Sequence, residues 1–509
     1  MRIEDYLRTS ALHAPHKTVL VSGGRRLTYA DFDDLSDRLA TALTALGVKP
    51  GDRVLVFIEN SWQAAISVFA VWKAGAVLCP INPSTKAGRL AFIIRNCGAC
   101  AVIAQGKLAG VVVEAQAQLA EPLSVVLTAP SPLLPAALDF DTCLLVSPVL
   151  PNAAASDEDL AMVIYTSGTT GEPKGVMLTH GNIDAATGSI TQYLENTPDD
   201  VLLSVLPLAF GYGLSQLLTS VRVGATLVLE KSFAFPAEVF SRIREERVTG
   251  FAMVPAMVAM MLQTRDLDYS QFDSLRYMTN AAAALPVAHI ERLREALPHI
   301  RFFSMYGQTE CIRSAYMPPE HLALHPGSVG IAIPGCELAV VDEDGYELPD
   351  GMVGELVISG PNVMRGYWDN PAATNLALRP APGTSTIRLH SGDLFQRDSE
   401  GYFSFVARKD DIIKSRGEKV APKEVEAVIY TMPGVVEALV LGVPDPVLGQ
   451  AVKALIVSSD PAILERDVIR YCAKRLDDYM VPKSVEFRES LPKTDTGKLS
   501  RRLAGTMIA

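Results

Sequence analysis

Few features of this sequence suit an oxidising compartment, a membrane or a polyanionic partner. Seven cysteines scattered through 509 residues make no disulfide framework. The CxxC pair Cys97 and Cys100 has no second pair to complete a zinc site, so both are read as small apolar residues at a strand edge. Concentrated positive charge is missing as well. A net charge of −11 argues against a nucleic-acid-binding face, because phosphate contacts need clustered Lys and Arg. No run approaches ~18 uninterrupted apolar residues, so no membrane span is expected. Met1–Asp5 carries mixed charges and lacks a secretory pattern, which makes the cytoplasm the expected location. Internal repeats and low-complexity tails are absent too. What remains is 49% hydrophobic and 20% charged, the composition of a folded globular protein long enough for several domains.

The first quarter alternates helix and strand. Thr28 and Asp31 have the spacing of a capping box. Phe32, Leu35, Leu39, Leu43 and Leu46 then follow at helical spacing, and Gly47 is placed to end the helix. Pro50–Asp52 turns the chain into Val54–Ile58, a continuous apolar run suited to a strand buried on both faces. Ser61 is placed to cap the next helix, and Val77–Cys79 and Ala101–Ala104 read as further strands. Such alternation implies a largely parallel sheet. Residues 105–159 read as surface helices and loops. A second βα unit follows, with strands at Val201–Leu206, Thr226–Leu229, Gly250–Val254 and Ile300–Ser304. From Gly335 short strands with Gly, Asp and Pro turns predict a small β-rich subdomain. The charged break Arg408–Asp411 separates it from about a hundred residues, enough for a compact α+β domain.

The chain is organised around Tyr165–Gly175, Tyr-Thr-Ser-Gly-Thr-Thr-Gly-Glu-Pro-Lys-Gly, set between the strand-like runs Ala161–Tyr165 and Val176–Leu178. Glycines let backbone N–H groups turn toward a bound anion, hydroxyls add donors, and Lys174 supplies a mobile positive charge. The combination suits a polyphosphate. It is not the Walker pattern, because Gly175 follows the lysine. Three later segments carry polar groups at strand ends. Phe303–Glu310 presents an aromatic, a hydroxyl and a carboxylate within one loop. His390–Asp393 ends in a carboxylate after a tight glycine turn, and two acceptor oxygens suit a pair of ribose hydroxyls. Leu491–Lys498 places a lysine behind a glycine near the C-terminus.

In this order and spacing these segments resemble the adenylate-forming superfamily of acyl-CoA synthetases, adenylation domains and luciferases, over about Leu27 to Lys498. The resemblance implies an α/β fold. A large N-terminal domain, 1–408, would hold two βα subdomains and the β-rich subdomain, and a smaller mobile α+β domain, 409–509, would carry the catalytic lysine. It implies that Thr166, Ser167, Gly168, Thr169, Thr170 and Lys174 hold ATP phosphates. Ala281, Ala282 and Ala283 would lie against adenine, with Tyr306 and Gly307 beside them. Thr309 would bond the acyl-phosphate oxygens, and Glu310 with Thr170 would hold Mg²⁺, a hard cation that takes carboxylate and phosphate oxygens. Asp393 and Arg408 complete the nucleotide site. Lys498 would act in adenylation, Asp410 would be the hinge, and Gly417 would line the thiol tunnel of the second half-reaction.

The implied reaction joins a carboxylate to MgATP as an acyl-adenylate, releases pyrophosphate, and passes the acyl group to a nucleophile with loss of AMP. Coenzyme A is the expected acceptor, with a carrier-protein phosphopantetheine arm or an amine as alternatives. Phe210, Gly211, Tyr212, Phe251 and Met253 match the acyl pocket. Many acyl- and aryl-CoA synthetases have His where this chain has Phe210. Amino-acid-activating relatives have Asp where this chain has Gly211. Without that Asp an α-ammonium would be buried unpaired, at a cost of several kcal/mol. An apolar, aromatic or alicyclic acid is therefore expected.

Overall fold

The computed structural model describes residues 1–149, 156–167, 173–264, 266–415, 418–445, 448–493 and 499–508. Among the described residues the strands form four sheets, of eight, nine, five and five strands. In the eight-stranded sheet, Arg53–Phe57 lies in parallel between Val77–Pro80 and Ala101–Ala104, and Val54, Leu55, Val77, Leu78 and Val102 are almost completely buried. That is why the run reads as apolar without alternation. The capping box predicted at Thr28 forms with Asp31 and starts the helix Tyr29–Ala45. Ser61 caps Trp62–Lys73 through the amide of Ala64.

Three details depart from the sequence reading. Residues 105–159 add two strands to the sheet, Ser124–Leu127 and Leu138–Asp139, where loops and surface helices were expected. Cys97 ends the helix Ala87–Cys97 instead of lying at a strand edge, and Gly98 stops that helix at φ +59°. A strand that the sequence reading did not place, Thr18–Ser22, pairs antiparallel with Arg25–Thr28 and in parallel with Thr226–Leu229, Leu20 opposite Leu227. The start of the chain thus belongs to the nine-stranded sheet, whose centre is the parallel set Val201–Ser204, Gly250–Met253, Tyr277–Asn280 and Arg301–Tyr306. All seven cysteines are free thiols.

The two large sheets share a core. It runs from Val54 and Leu78 through the helices carrying Phe69, Trp72 and Leu217 to Leu227. Trp72 is fully buried and its indole N–H donates to the Ala161 carbonyl at 2.8 Å. The helix is thereby tied to the strand that leads into the phosphate segment. Truncating such a residue to Ala typically costs about 3–5 kcal/mol.

The β-rich part is a sheet of Glu337–Val341, Val353–Ser359, Ile387–Arg397, Leu378–Pro380 and Phe403–Arg408. His390–Asp393 is not a turn between elements. It lies inside the strand Ile387–Arg397, where Gly392 at φ +70° makes a bulge opposite Leu356. A bulge re-aims side chains without ending the strand. The C-terminal residues form their own sheet from Ile413–Ser415 onward, with the helices Pro422–Tyr430 and Glu465–Ala473 and a separate core containing Val425, Ile429, Val440, Ile456 and Val468.

The helix Gly211–Val223 bears directly on the expected acyl pocket. A Cβ on Gly213 would sit 2.2 Å from the Pro207 carbonyl oxygen and 2.7 Å from that of Leu206, whereas nothing lies within 4 Å of one on Gly211. Gly213→Ala should therefore displace the Leu206–Phe210 segment and lose about 1–3 kcal/mol of stability. Gly211→Ala should leave the thermal unfolding midpoint unchanged. Equal midpoints for both variants would refute this close approach.

Candidate active site

The strands Leu160–Ser167 and Pro173–Thr179 pair antiparallel, with Thr166 opposite Lys174 and Ser167 opposite Pro173. The phosphate segment is thus flanked by two paired antiparallel strands. Gly168, Thr169 and Thr170 lie outside the described residues. Gly175 is required by closeness, since a Cβ there would meet Val163 at 2.8 Å and the Tyr165 ring at 3.1 Å. Thr179 then forms a capping box with Asn182 and launches the helix His180–Tyr193.

A short strand missed in the sequence, Gly366–Tyr367, pairs with this hairpin and sets Tyr367 opposite Val176. Its ring centre lies 5.3 Å from Lys174 Nζ, and its hydroxyl donates to Glu310 Oε1 at 2.9 Å. Burial, with the Glu310 carboxylate adding to it, pushes the Tyr367 hydroxyl pKa up, so the group remains a donor. The lysine and the carboxylate expected at the phosphates are therefore joined through one aromatic ring. Only an aromatic after a glycine marked Tyr367 in the sequence.

Glu310 lies on the loop that follows Arg301–Tyr306. Asn362, nearly fully buried, donates to the carbonyls of Cys311 at 3.0 Å and Arg313 at 2.7 Å, and the Met364 amide donates to the Glu310 carbonyl at 2.8 Å. A Cβ on Gly307 would meet Ile312 O at 2.7 Å and Arg313 Cα at 2.8 Å, which explains the glycine. Thr309 and Glu310 are half-buried at the loop's outer side. Among the described residues no group of three or more His, Cys, Asp or Glu could hold a metal. A single held carboxylate is nevertheless the donor set Mg²⁺ uses when phosphates and water supply its other ligands. Glu310 fits that role, and Thr170 lies outside the described residues.

Tyr306, Asp393 and Arg408 come together. The Tyr306 hydroxyl donates to Asp393 Oδ2 at 2.6 Å and accepts from Gln308 Nε2 at 2.9 Å. Arg408 Nε lies 3.4 Å from Asp393 Oδ1, the two residues being direct cross-strand partners. Ala281 is buried, but Ala283 and Ala284 are exposed and Ala282 is held at φ +77°, so this run is a surface and not core. Asn280 Nδ2 donates to the Ala283 carbonyl at 3.1 Å and folds the segment back.

On the acyl side, Phe210 precedes the Gly211–Val223 helix without a side-chain cap, and the Tyr212 hydroxyl shares a 2.6 Å hydrogen bond with Thr279. Thr279 immediately precedes the alanine segment, so the acyl and nucleotide segments touch. Phe251 and Met253 are fully buried in the core of the nine-stranded sheet, with Phe251 against Phe233.

Asp410 is exposed in the single turn Lys409–Asp411, and among the described residues its side chain makes no hydrogen bond or ion pair. Its neighbours are held in opposite directions. Lys409 Nζ lies 3.3 Å from Glu355 Oε2 in the β-rich sheet. Asp411 accepts from Arg501 at 3.1 Å, and Arg501 also binds Glu426 and the Val440 carbonyl in the C-terminal part. The two parts also touch where Lys423 lies 4.8 Å from the Phe405 ring centre. Gly417 and Lys498 lie outside the described residues.

Glu355 also builds the bulge. It accepts from the Gly392 amide at 3.0 Å and from His390 Nδ1 at 3.2 Å. Burial alone would raise its pKa, but the His390 hydrogen bond, the Lys409 charge and the Gly392 amide outweigh it and hold the carboxyl at about 2. A depressed carboxyl stabilises the fold above its unfolded pKa and loses that contribution as pH falls through the folded value. The contribution is on the order of 3 kcal/mol. Glu355→Gln should therefore be less stable than the parent at pH 7. The gap between their urea midpoints should close as pH falls from about 4.5 toward 2, and a gap independent of pH would remove the assignment.

Comparison with known proteins agrees with this arrangement. A family profile described as "AMP-binding enzyme" matches residues 7–368, and one described as "AMP-binding enzyme C-terminal domain" matches residues 424–498. The feruloyl-CoA synthase of an Amycolatopsis species is 35% identical over 492 residues, covering 96% of this chain and 95% of that protein. ATP-bound MatB from Rhodopseudomonas palustris superposes with a TM-score of 0.90 at 28% identity, over 100% of this chain and 99% of that one. The amide bond synthetase McbA from Marinactinospora thermotolerans gives 0.89 at 26% identity, over the whole of both chains. With the AMP-binding profile spanning most of its length, the chain belongs to the AMP-binding enzymes, the adenylate-forming family of acyl- and aryl-CoA ligases.

Proposed function

We propose that this enzyme activates a carboxylic acid with MgATP, releasing pyrophosphate, and transfers the acyl group from the resulting adenylate to coenzyme A with release of AMP. The observation that carries this reading is the Lys174–Tyr367–Glu310 contact. It sets a cation and a carboxylate side by side at the base of a glycine- and hydroxyl-rich hairpin. Lys174 neutralises phosphate charge, and Glu310 holds magnesium, which when bound shields the phosphates against the incoming carboxylate. Tyr367 fixes both side chains before the nucleotide arrives, so little reorganisation is left for the transition state. Asp393 takes the ribose hydroxyls with Tyr306 and Arg408 as its supports. Adenine lies along Ala281–Ala283.

The acid lies against Phe210 and Tyr212 and carries no α-ammonium, since Gly211 offers nothing to pair one. The coenzyme A acceptor follows the feruloyl-CoA synthase likeness. An amine acceptor is the second reading, favoured by the equally close superposition on an amide bond synthetase. Radiolabelled pyrophosphate exchange into ATP tests the first half-reaction, and it must depend on added acid. Offering coenzyme A or an amine to the loaded enzyme separates the acceptors. Lys498→Ala should cut acid-dependent exchange by about a hundred- to a thousandfold while sparing thioester formation from supplied acyl-adenylate. Equal loss in both would count against Lys498 as the adenylation residue.

The hinge reading follows from the two anchored neighbours of Asp410. Lys409 is held by Glu355 and Asp411 by Arg501, so rotation must be taken up between them. Proline fixes φ near −65° and restricts the residue before it. Asp410→Pro should keep one half-reaction near its normal rate and abolish the other. Both rates persisting would mean that the chain does not turn at this residue.

A further inference from the structure

Arg313 is the one group near the acyl segment that the reaction above leaves without a task. Its side chain is nearly fully buried, at 3% exposed, and its Nε has no hydrogen-bond partner. Among the described residues no carboxylate lies within ion-pair distance of it. Its guanidinium carbon lies 5.1 Å from the ring centre of Tyr212, the aromatic that borders the acyl pocket and is bonded to Thr279. A cation–π contact recovers only part of what a guanidinium loses on leaving water. A buried charge is normally paired.

The backbone holds Arg313 in this place at some strain. Ile312 sits at φ +61°, the left-handed region that β-branched residues avoid. Asn362 clamps the carbonyls on both sides of it, and the Ser314 amide donates to the Tyr306 carbonyl at 3.0 Å. A further observation points the same way: the Gly211–Val223 helix begins without a side-chain cap, and open space lies beside Gly211. Unspent donor capacity therefore gathers around Tyr212, where a wholly apolar acid would leave it unmet.

We propose that Arg313 recognises a second carboxylate on the substrate, so that the enzyme activates one end of a dicarboxylic acid whose body lies against Phe210 and Tyr212. This rests on the acid-activation reading and narrows it: the apolar acid expected from the sequence gains a distal anion. A guanidinium pairs a carboxylate through two parallel N–H donors. A site with such a buried donor discriminates strongly against analogues that leave it unpaired.

The test uses the full-length enzyme and acid-dependent pyrophosphate exchange. Dicarboxylic acids of aliphatic and aromatic frames are each compared with their monomethyl esters, which keep the reacting carboxylate and mask the second. The parent enzyme should favour the free diacid over its monoester by about a hundredfold or more in kcat/KM. In Arg313→Met that ratio should fall to near one, and Arg313→Lys should keep part of it. A parent that uses monoesters as well as diacids, or a Met variant that keeps the preference, would overturn the proposal while leaving acid activation standing. Equal loss on both series in the Met variant would also overturn it, marking Arg313 as structural only. Should the Met variant fail to fold, the parent's ratio and that of the Lys variant decide. No exchange with any acid would overturn the acid-activation reading and this proposal with it.

Discussion

The pairing of Gly366–Tyr367 with the phosphate hairpin is the contact on which the rest of the site depends. Without it Lys174 and Glu310 would approach from different sheets with nothing between them. With it, one ring supports the lysine and one hydroxyl holds the carboxylate. A flexible ammonium and a flexible carboxylate each lose rotamer freedom on binding a nucleotide. Tyr367 imposes part of that ordering in the folded protein beforehand. The ring cannot move independently either, because the Trp368 amide donates to the Gly175 carbonyl at 2.7 Å and the Trp368 indole donates to Asn96.

A second constraint couples the Asp393 bulge to the Lys409–Asp411 turn. Glu355 binds the Gly392 amide and His390, which shape the bulge presenting Asp393, and it also binds Lys409 next to Asp410. Any rotation that stretches Lys409 away leaves a buried carboxylate with one charge fewer beside it. The same side chain therefore links the bulge that carries Asp393 to the residue beside Asp410. Arg501 holds Asp411 from the C-terminal side.

Much of this was legible in the sequence, for definite reasons. Local patterns such as the Thr28 and Ser61 caps and the unbroken apolar strands express their physics within a few residues, and they came out as read. What was not legible depends on pairing between distant segments. Thr18–Ser22 carries no local signal for its place, which comes from Leu20 pairing opposite Leu227. His390–Asp393 reads as a turn because Gly punctuates it, yet it is a bulge within a long strand. Tyr367 has no local mark of function, since its importance comes from two partners far away in the chain. Phe251 and Met253 are fully buried in the core of the nine-stranded sheet, a packing the sequence does not display.

The loop from Gly307 to Arg313 places both groups proposed above under one control. Glu310 is held by Tyr367, and Arg313, three residues on, lies over Tyr212. Both are placed by the same clamp, Asn362, and the same close approach at Gly307. The chain has net charge −11, and its buried Lys73 is paired with Asp33 and Asp37. Among the described residues, Lys174 and Arg313 instead face aromatic rings and have no carboxylate partner. An aromatic face holds a cation in position without neutralising it. Cations held in that way remain available to anions that arrive with a substrate.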